Sequence, residues 1–452
     1  PNDFKKKSID GLGENWPITY DDLKPYYDKV DKLIGVFGTK ENLYNEPDGF
    51  FLPPPKPRLH ELYYIKAAKK ADIKVIPSRL SVITKRINND RGVCFYCNGC
   101  ARSCNVYADF SAGSCLIFPA QNAGGQIDLY VNSMVRTVET NSEGKATGVS
   151  YINKDDGNEY KLNGKVVVLA ASACSSARIL LNSKSKQHPN GLGNSSDLVG
   201  KYLHDSTGGD MMAFLPQLTN RKIYNEDGVG GMHVYSPWWL DNKKLDFPRG
   251  YHIEVWGGMG APTYGTGFNV NHFNKFFGLK AGGYGDVLRS DMKKYYGSTI
   301  GFSGRGESVA MKSNYCEIDP NKVDKYGVPV LRFNYKWTDY EIKQAKHMQD
   351  TFEEIIHNMG GQPLWNKPGI ESNYGLTKPG EIIHEVGTTR MGKNPKESVV
   401  DQYERMHDVD NVFVVDAGPF VSQADKNPTW TIMALAWRAS DHIVSEFKKQ
   451  NF

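Results

Sequence analysis

The sequence predicts a mixed α/β chain, α+β overall, with one α/β domain split in sequence and a mostly antiparallel β-sheet domain between its parts. Its 452 residues are enough for two or three domains of ordinary size. The apolar run Val166–Ala170 suits a buried parallel strand, and it leads through small residues into a helical pattern, which is typical of a nucleotide-cofactor domain. The stretch 205–335 is rich in Gly, Tyr and Trp with few helical periods, which favours an antiparallel sheet.

The charge balance excludes several classes of partner. Fifty-five Lys and Arg residues against 51 Asp and Glu give a net charge of +4, which is too small to favour nucleic acid or an anionic membrane surface. No stretch of about 18 apolar residues occurs, so the sequence predicts no membrane span. Because the chain begins with Pro1 and carries no targeting segment, we expect any export signal to lie outside these residues.

Helical and extended segments alternate in the first half of the chain. Thr19–Asp22 predicts a helix cap, and the helix that follows has apolar residues at Leu23, Tyr26, Tyr27, Val30, Leu33 and Ile34. The proline-rich run 52–57 predicts an extended connector, followed by a short helix near 61–71 and a β-rich stretch over 74–87. Apolar runs separated by turn residues predict successive strands over 127–168.

Three further helices and one strand are predicted beyond residue 170. A helix is expected over 175–182, and a capping box at Thr338 opens another that closes near Gly360. The run 411–415 is a candidate buried strand. Asn427 is the expected N-cap of the last helix, whose buried face is predicted from the spacing of Ile432, Leu435, Ala436, Ala439, Ile443, Val444 and Phe447.

Five short motifs follow one another near the C-terminus. They are His384–Gly392 (H-E-V-G-T-T-R-M-G), Ser398–Asp401, Asn411–Gly418, Asn427–Thr429 and Ala434–Ala436. This ordered set resembles the signature of the glucose–methanol–choline (GMC) family of FAD-dependent alcohol and sugar oxidoreductases. Segments 15–27, 166–181 and 199–205 are also similar to that family, so the resemblance spans nearly the whole chain.

The resemblance implies a catalytic pair. In the family, the His that opens H-x-x-G-T and the residue that opens N-P-T face the flavin and the substrate alcohol, and here these are His384 and Asn427. Alcohol oxidation removes a hydroxyl proton and a hydride from the adjacent carbon. A neutral imidazole takes the proton and the flavin takes the hydride. Asn427 holds the same hydroxyl without competing for its proton.

The same resemblance implies contacts to the flavin half of FAD. Asp416 and Ala417 are expected along the ribityl chain and the pyrophosphate, and Pro428 and Thr429 against the pyrimidine ring. The N-terminus of the last helix would also favour negative charge on the reduced flavin.

Contacts to the adenosine half are implied as well. Val135 matches the position whose backbone meets the adenine, and Ala170 and Ala171 would line the adenosine. Ordinary packing at strand ends is the alternative for each of these residues.

The family's G-x-G-x-x-G phosphate loop is absent from the sequence. Its glycines are needed because backbone N–H groups approach the pyrophosphate there. Gly11 and Gly13, and the glycines of 282–285, lack both the spacing and a preceding strand. We therefore expect that roughly the first hundred residues of the native protein are missing from this sequence.

Four cysteines fall within eleven residues. Cys94, Cys97, Cys100 and Cys104 have the spacing C-x2-C-x2-C-x3-C, close to the bacterial ferredoxin run but without its terminal proline. Such spacing allows one loop to wrap several thiolates round an iron–sulfur cluster. A zinc site, and disulfides or free thiols, are the alternatives. The other cysteines are predicted to be buried core thiols: Cys115, Cys174 and Cys316.

A branch of bacterial GMC dehydrogenases, which includes the catalytic subunit of FAD-glucose dehydrogenase, is similar at this loop. Its members carry a [3Fe–4S] cluster on C-x5-C-x3-C, which matches Cys94, Cys100 and Cys104 and leaves Cys97 as the thiol that would complete a [4Fe–4S] cluster. The branch implies a dehydrogenase of sugars or glycosides that passes electrons through the cluster to an external acceptor such as a cytochrome.

The branch also implies a small partner subunit and a periplasmic location at the bacterial inner membrane.

Two alternatives to this function stay open. One is a non-catalytic redox or metal-binding subunit in which the cysteine loop alone functions. The other is an oxygen-using GMC alcohol oxidase.

These predictions divide the chain into five segments. Residues 1–87 link the FAD and substrate domains, 88–116 form the cysteine-rich cluster loop, 117–204 and 375–452 are parts of the FAD-binding domain, and 205–374 form the substrate-binding domain. Aromatic side chains of the substrate-binding domain are candidates for stacking on sugar rings: Trp238, Trp239, Tyr251, Trp256 and Tyr284.

Overall fold

The computed structural model describes residues 1–222, 228–237, 244–259 and 285–452. In these ranges the α-helices are α1 (Lys6–Asp10), α2 (Tyr20–Ile34), α3 (Leu59–Lys70), α4 (Phe118–Asn122), α5 (Ala173–Asn182), α6 (Gly285–Tyr295), α7 (Asp339–Asn358) and α8 (Thr429–Lys448). None of them is both long enough and apolar enough to cross a membrane.

The strands in the same ranges are β1 (Val36–Phe37), β2 (Phe51–Leu52), β3 (Ile76–Pro77), β4 (Ser133–Thr140), β5 (Ala146–Asn153), β6 (Glu159–Asn163), β7 (Val167–Leu169), β8 (Lys201–His204), β9 (Thr207–Phe214), β10 (Val234–Ser236), β11 (Tyr251–Gly257), β12 (Thr299–Gly306), β13 (Tyr315–Val323), β14 (Pro329–Asn334), β15 (Gln362–Pro363), β16 (Val386–Thr388) and β17 (Val412–Val414). The largest sheet has the order β15-β9-β12-β11-β10-β3 and is antiparallel throughout. The α/β fold and the antiparallel sheet expected over 205–335 are therefore confirmed.

A parallel strand pair forms the centre of the α/β part. Val167 pairs with Val412 and Leu169 with Val414, so β7 and β17 run side by side in the same direction. The antiparallel sheet β4-β5-β6 and the sheet β14-β13-β8-β16 surround this pair. Helix α5 leaves β7 after a short turn, and one hydrophobic cluster joins β7, β17, α5 and the first turn of α2.

Local sequence signals explain where α2 and α7 begin. The Thr19 hydroxyl accepts a hydrogen bond from the Asp22 backbone N–H at 3.3 Å, and the Asp22 carboxylate accepts from the Thr19 N–H at 2.7 Å. The same capping box at Thr338 opens α7. Each box satisfies backbone donors that a helix N-terminus otherwise leaves without partners.

A second hydrophobic cluster lies between the six-stranded sheet and helices α3 and α7. Tyr64 of α3 and Phe352 of α7 are fully buried, and both rings contact Phe302 on β12. Helix α3, which we placed in the segment linking the two domains, therefore packs in the core beneath the antiparallel sheet. The five-segment division stays a prediction.

Three sequence expectations differ from the structure. The β-rich stretch over 74–87 contains only the short β3, because its other residues pair only in isolated bridges, Leu80 with Phe37 and Val82 with Asp109. Strand β7 was expected to be fully buried, yet Val168 is 47% exposed, because β17 is its only paired strand among the described residues. The last third of α8 extends beyond the core, so Val444 and Phe447 are about half exposed.

We expect Asn411→Ala to destabilise the α/β part. Asn411 is 1% exposed; its amide donates to the carbonyls of Ala146 and Lys165 at 2.8 and 2.9 Å and accepts from the Ala146 N–H at 3.1 Å. The substitution leaves these buried groups without partners, so the free energy of unfolding should fall by about 2–4 kcal/mol in urea denaturation. Asn163→Ala, at the exposed end of β6, should change it by less than about 0.5 kcal/mol; equal effects of the two variants would contradict this account.

Candidate active site

The structure brings His384 and Asn427 together although 43 residues separate them. Asn427 Nδ2 lies 3.1 Å from His384 Nε2. His384 stands in the loop before β16, and Asn427 precedes α8 by two positions. We expected Asn427 to cap α8, but the cap position is Pro428, which makes no side-chain cap. The Asn427 side chain faces the imidazole instead.

Asp205 holds the backbone that carries His384. Its carboxylate oxygen Oδ1 accepts hydrogen bonds from the backbone N–H groups of His384 at 3.0 Å and Ser206 at 2.8 Å. Oδ2 accepts from the Gly380 N–H at 3.0 Å. Asp205 is 1% exposed, and burial raises its pKa to about 6 although these hydrogen bonds oppose the shift. The sequence placed Asp205 in a family-like segment without assigning it a role.

Ser206 contacts His384 directly and Gln423 contacts Ser206, and no sequence signal indicated either residue. Ser206 Oγ lies 3.2 Å from His384 Nδ1. Gln423 Nε2 donates to the same Ser206 hydroxyl at 2.8 Å. Both side chains are buried, and each stands far from His384 in the chain.

The environment of His384 keeps its imidazole neutral. The pKa of His384 is lowered to about 4, chiefly by burial; Arg305 and His252 act in the same direction, and the Glu254 carboxylate opposes them. At neutral pH the ring therefore has one unprotonated nitrogen, which can accept a proton. A neutral histidine that can become charged is the usual general base of a proton transfer.

A buried layer of charged groups lies beside the pair. His252 contacts Glu254 at 3.3 Å and Asp425 at 3.6 Å, and Lys426 contacts Asp425 at 2.7 Å. Burial alone would lower the pKa of His252, but its hydrogen bonds to Asp425 and Glu254 raise it. The sequence offered no motif for His252, so this layer became evident only from the fold.

A cavity of about 250 Å³ opens beside Asn427. His252 and Lys426 line it together with the aromatic rings of Tyr27, Tyr235 and Trp430. Its carboxylates outnumber its cationic side chains, since Arg79 and Lys426 stand against Asp3, Asp28, Asp31, Glu46, Asp48 and Glu254. The arrangement provides many hydrogen-bond acceptors and an unfavourable potential for anions.

Four residues predicted to bind the cofactor lie at one edge of the parallel pair. Ala170 and Ala171 follow β7 and are exposed, whereas Asp416 and Ala417 follow β17 and are buried. The Asp416 carboxylate accepts from the Ser176 hydroxyl at 2.5 Å and from the Gly418 N–H at 2.7 Å. Asp416 therefore ties α5 to the turn after β17, at the carboxyl ends of the strands, where α/β folds bind nucleotide cofactors.

This edge is linked directly to the His384 loop. Gly387, three residues after His384, donates its N–H to the Ala417 carbonyl at 3.1 Å. Its φ is +95°, and a Cβ there would lie 2.2 Å from the Tyr202 carbonyl oxygen. Only glycine allows this close approach, which explains the glycine of H-x-x-G-T.

The remaining predicted cofactor residues lie nearby. Val135, on β4, is half-buried and packs against the cluster that contains Ala417. Pro428 and the exposed Thr429 form the start of α8 beside Asn427. Because no side chain caps α8, its first-turn N–H groups are available to an acceptor such as a flavin carbonyl. The first-turn N–H groups of α8, the edge formed by the ends of β7 and β17, and the base His384 thus fit FAD.

The four clustered cysteines line one cavity of about 270 Å³. The Tyr96 N–H lies 3.4 Å from Cys94 Sγ, and the Gly230 N–H lies 3.3 Å from Cys100 Sγ. All seven cysteines lie in the described ranges, and none of them forms a disulfide there. No three His, Cys, Asp or Glu side chains in these ranges converge to hold a single metal ion. The structure therefore does not confirm a metal centre at Cys94, Cys97, Cys100 and Cys104.

Of the aromatic residues proposed to stack on sugar rings, the two that the structure describes, Tyr251 and Trp256, do not share a surface. Trp238, Trp239 and Tyr284 lie outside the described residues. Tyr251 is fully buried, and its hydroxyl contacts His347 Nδ1 at 2.8 Å within the second core. Trp256 is 42% exposed at the end of β11 and does not line the cavity beside Asn427. The expectation for Tyr251 was wrong because alternate residues of β11 face the core.

Comparison with known proteins agrees with this geometry. Family models described as GMC oxidoreductase match residues 14–207 and 312–436. The chain belongs to the GMC oxidoreductase family. It is 29% identical to 2-methyl-1,2-propanediol dehydrogenase of Mycolicibacterium austroafricanum and 25% identical to the fructose dehydrogenase large subunit of Gluconobacter japonicus, over 99% of this chain and 78% of each relative. The formate oxidase of Aspergillus oryzae RIB40 has the same fold, with a TM-score of 0.67 at 13% identity over 99% of this chain and 81% of the other.

Membership of the family identifies the kind of chemistry. As a GMC oxidoreductase, the chain is an FAD-dependent enzyme that oxidises CH–OH groups. The alternative of a non-catalytic metal-binding subunit does not account for the His384–Asn427 pair at the cofactor edge.

We expect Asp205→Ala to loosen the His384 loop specifically. Three backbone N–H groups lose their shared acceptor, so amides of residues 380–388 should exchange with deuterium about ten- to a hundredfold faster. Amides of β11 should keep their protection. The exposed Asp128→Ala is the control and should leave both regions unchanged. Unchanged exchange at 380–388 in Asp205→Ala would contradict the role given to this carboxylate.

Proposed function

We propose that this GMC oxidoreductase is a dehydrogenase that oxidises a hydroxyl of a neutral sugar, glycoside or polyol to a carbonyl. The observation that carries the proposal is the contact of 3.1 Å between His384 Nε2 and Asn427 Nδ2, beside the cavity and the start of α8. Relatives named as a propanediol dehydrogenase and a fructose dehydrogenase large subunit support an alcohol of this class.

The two side chains divide the work on the substrate hydroxyl. His384 Nε2 accepts the hydroxyl proton as the C–O bond gains double-bond character. The Asn427 amide donates to the same oxygen and fixes its position without taking the proton. FAD supplies the acceptor for the hydride that leaves the adjacent carbon. The alcohol thus loses one proton and one hydride, and the carbonyl product leaves.

The composition of the cavity favours a neutral, hydroxyl-rich substrate. Glu46 and Asp31 supply acceptors for substrate hydroxyls, and burial raises the pKa of Asp31 to about 6. Lys426 is already paired with Asp425, so it offers little attraction to an anion. Sugar acids should therefore be poorer substrates than neutral sugars.

We further propose that the loop of Cys94, Cys97, Cys100 and Cys104 binds an iron–sulfur cluster, [3Fe–4S] or [4Fe–4S]. The shared cavity and the backbone N–H groups directed at two sulfurs support it, since such hydrogen bonds are typical of cluster thiolates. A cluster holds its thiolates farther apart than a single zinc ion does, because several irons share them. Such a cluster supplies one-electron transfer.

An external redox protein such as a cytochrome is the proposed electron acceptor. Phe95 and Tyr107, beside the cysteine loop, are 61% and 47% exposed and offer it an apolar surface. By resemblance to the branch that carries such clusters, we also propose a small partner subunit and a periplasmic location.

His384→Ala should abolish most of the activity. Loss of the general base should lower kcat for dye reduction by neutral sugars or polyols about 10²–10⁴-fold. The exposed His357→Ala, a matched control on α7, should retain the wild-type rate. Unchanged dye reduction in His384→Ala would overturn the proposed function. Oxygen uptake without dye reduction by the wild-type enzyme would favour an oxidase.

The pH dependence of kcat/KM tests the state of the base. Because the pKa of His384 is lowered to about 4, the imidazole is charged only below that pH. The rate constant should therefore rise through about pH 4 and stay flat between about pH 5 and 8. An acid limb near the ordinary histidine pKa of about 6.5 would contradict the desolvated environment.

The cysteine loop is tested by metal analysis of the purified protein. Iron and acid-labile sulfide should be near-stoichiometric, and Cys104→Ser should lower both while the flavin spectrum persists. Cys115→Ser, whose sulfur does not line the cavity, is the control and should retain the cluster. Zinc without sulfide, or no metal, would refute the cluster.

A further inference from the structure

We propose that Ser206, held by Gln423, is a positioning residue that fixes the tautomer of His384 and so keeps Nε2 as its proton-accepting nitrogen. The inference rests on the proposed function, since it concerns the base of the same reaction. Ser206 does not contact the substrate-facing nitrogen; it acts only through His384 Nδ1, at 3.2 Å.

The contact with Asn427 determines which nitrogen carries the proton. A neutral imidazole has one N–H and one acceptor nitrogen. The Asn427 NH₂ group is a donor, and it lies 3.1 Å from His384 Nε2. With the Asn427 amide oriented as in this structure, Nε2 is the acceptor and the single N–H of the ring is at Nδ1.

Ser206 is the partner that satisfies this Nδ1–H. Its hydroxyl oxygen has two lone pairs. One accepts from Gln423 Nε2 at 2.8 Å, and the other remains for the Nδ1–H of His384. Ser206 and Gln423 are 0% and 1% exposed, so no solvent competes for these bonds.

Asp205 makes this geometry independent of loop motion. The same oxygen, Oδ1, accepts from the backbone N–H groups of both Ser206 and His384. The backbone segments that carry the Ser206 hydroxyl and the His384 imidazole are therefore attached to one carboxylate. The two backbones cannot move apart without breaking a hydrogen bond to this buried carboxylate.

The consequence concerns both states of the base. Before proton transfer, the bond to Ser206 stabilises the tautomer whose Nε2 lone pair accepts from Asn427 in this structure and from the substrate hydroxyl once the substrate replaces that contact. After proton transfer the imidazolium keeps its Nδ1–H···Oγ bond, which becomes charge-assisted and stronger. Without the Ser206 acceptor, the Nδ1–H would be buried without a partner, and the opposite tautomer, with a protonated Nε2, would become competitive.

The first test compares kinetics of the flavin-loaded enzyme. Ser206→Ala should lower kcat roughly ten- to a hundredfold with KM within about threefold, because proton transfer, not binding, is impaired. Ser206→Thr, which keeps the hydroxyl, should restore at least half of the rate. Gln423→Leu, which leaves the serine in place, should have an intermediate effect. Ser398→Ala is the matched control, because Ser398 is also buried with its hydroxyl 3.0 Å from His407 Nε2; it should stay within twofold of wild type.

The second test reads the tautomer without any turnover. In ¹⁵N-histidine-labelled protein, the signals that vanish in His384→Gln identify the ring. They should show a protonated Nδ1 and an unprotonated Nε2 in wild type, and a shift toward protonated Nε2 in Ser206→Ala.

Two results would overturn the inference: a protonated Nε2 in wild type, or Ser206→Ala with an unchanged tautomer and a rate within twofold. If His384→Ala abolishes activity while Ser206→Ala does not, only this inference fails. If His384→Ala also keeps its activity, the proposed function fails instead.

Discussion

The Asp205 carboxylate is the interaction on which the active site depends. Asp205 and Ser206 form the short connection between β8, in the sheet of the cofactor part, and β9, in the six-stranded antiparallel sheet. One buried carboxylate at this junction accepts N–H groups from the junction itself and from the His384 loop. The imidazole therefore stands where the two cores meet, within reach of α8 on one side and of the charged layer on the other. A carboxylate with several backbone donors can be buried because its hydrogen bonds offset much of the desolvation cost.

Close packing explains much of the C-terminal motif set. Gly387 lets β16 approach the Tyr202 carbonyl, and a Cβ on Gly418 would lie 2.3 Å from Thr389 Oγ1. Thr388 donates its hydroxyl to the Ala173 carbonyl at 2.7 Å, at the start of α5. None of these residues lines the cavity beside Asn427, yet they set the distance between the His384 loop and the cofactor edge. Most residues of the motif that begins at His384 are therefore needed for packing, and His384 is the one that takes part in the chemistry.

Local signals predicted the elements well where they were strong. The capping boxes at Thr19 and Thr338, the strands around Val149 and the parallel strand at Val412 are confirmed, because their patterns do not depend on distant residues. Exposure of Val168 and of the end of α8 was not predictable, since it depends on which strands and helices lie beside them. The pair His384 and Asn427 was predicted by family resemblance alone.

The residues that support His384 were beyond sequence reasoning. Ser206 and Gln423 belong to no spacing pattern, and the buried layer of His252, Glu254 and Asp425 forms only when β11 and the segment before α8 meet. The cysteine loop shows the opposite case. Its spacing was the most evident pattern in the chain, but its metal stays a proposal because four thiols lining a cavity do not by themselves identify an occupant.

The central claim is that His384 and Asn427 act together on one substrate hydroxyl. A crystal structure of the flavin-loaded enzyme with a bound neutral sugar or polyol, trapped by reduction of the flavin, tests it most directly. The account predicts one hydroxyl oxygen within about 3.2 Å of both His384 Nε2 and Asn427 Nδ2, with its carbon facing the flavin ring. A substrate whose nearest hydroxyl contacts neither side chain would contradict it.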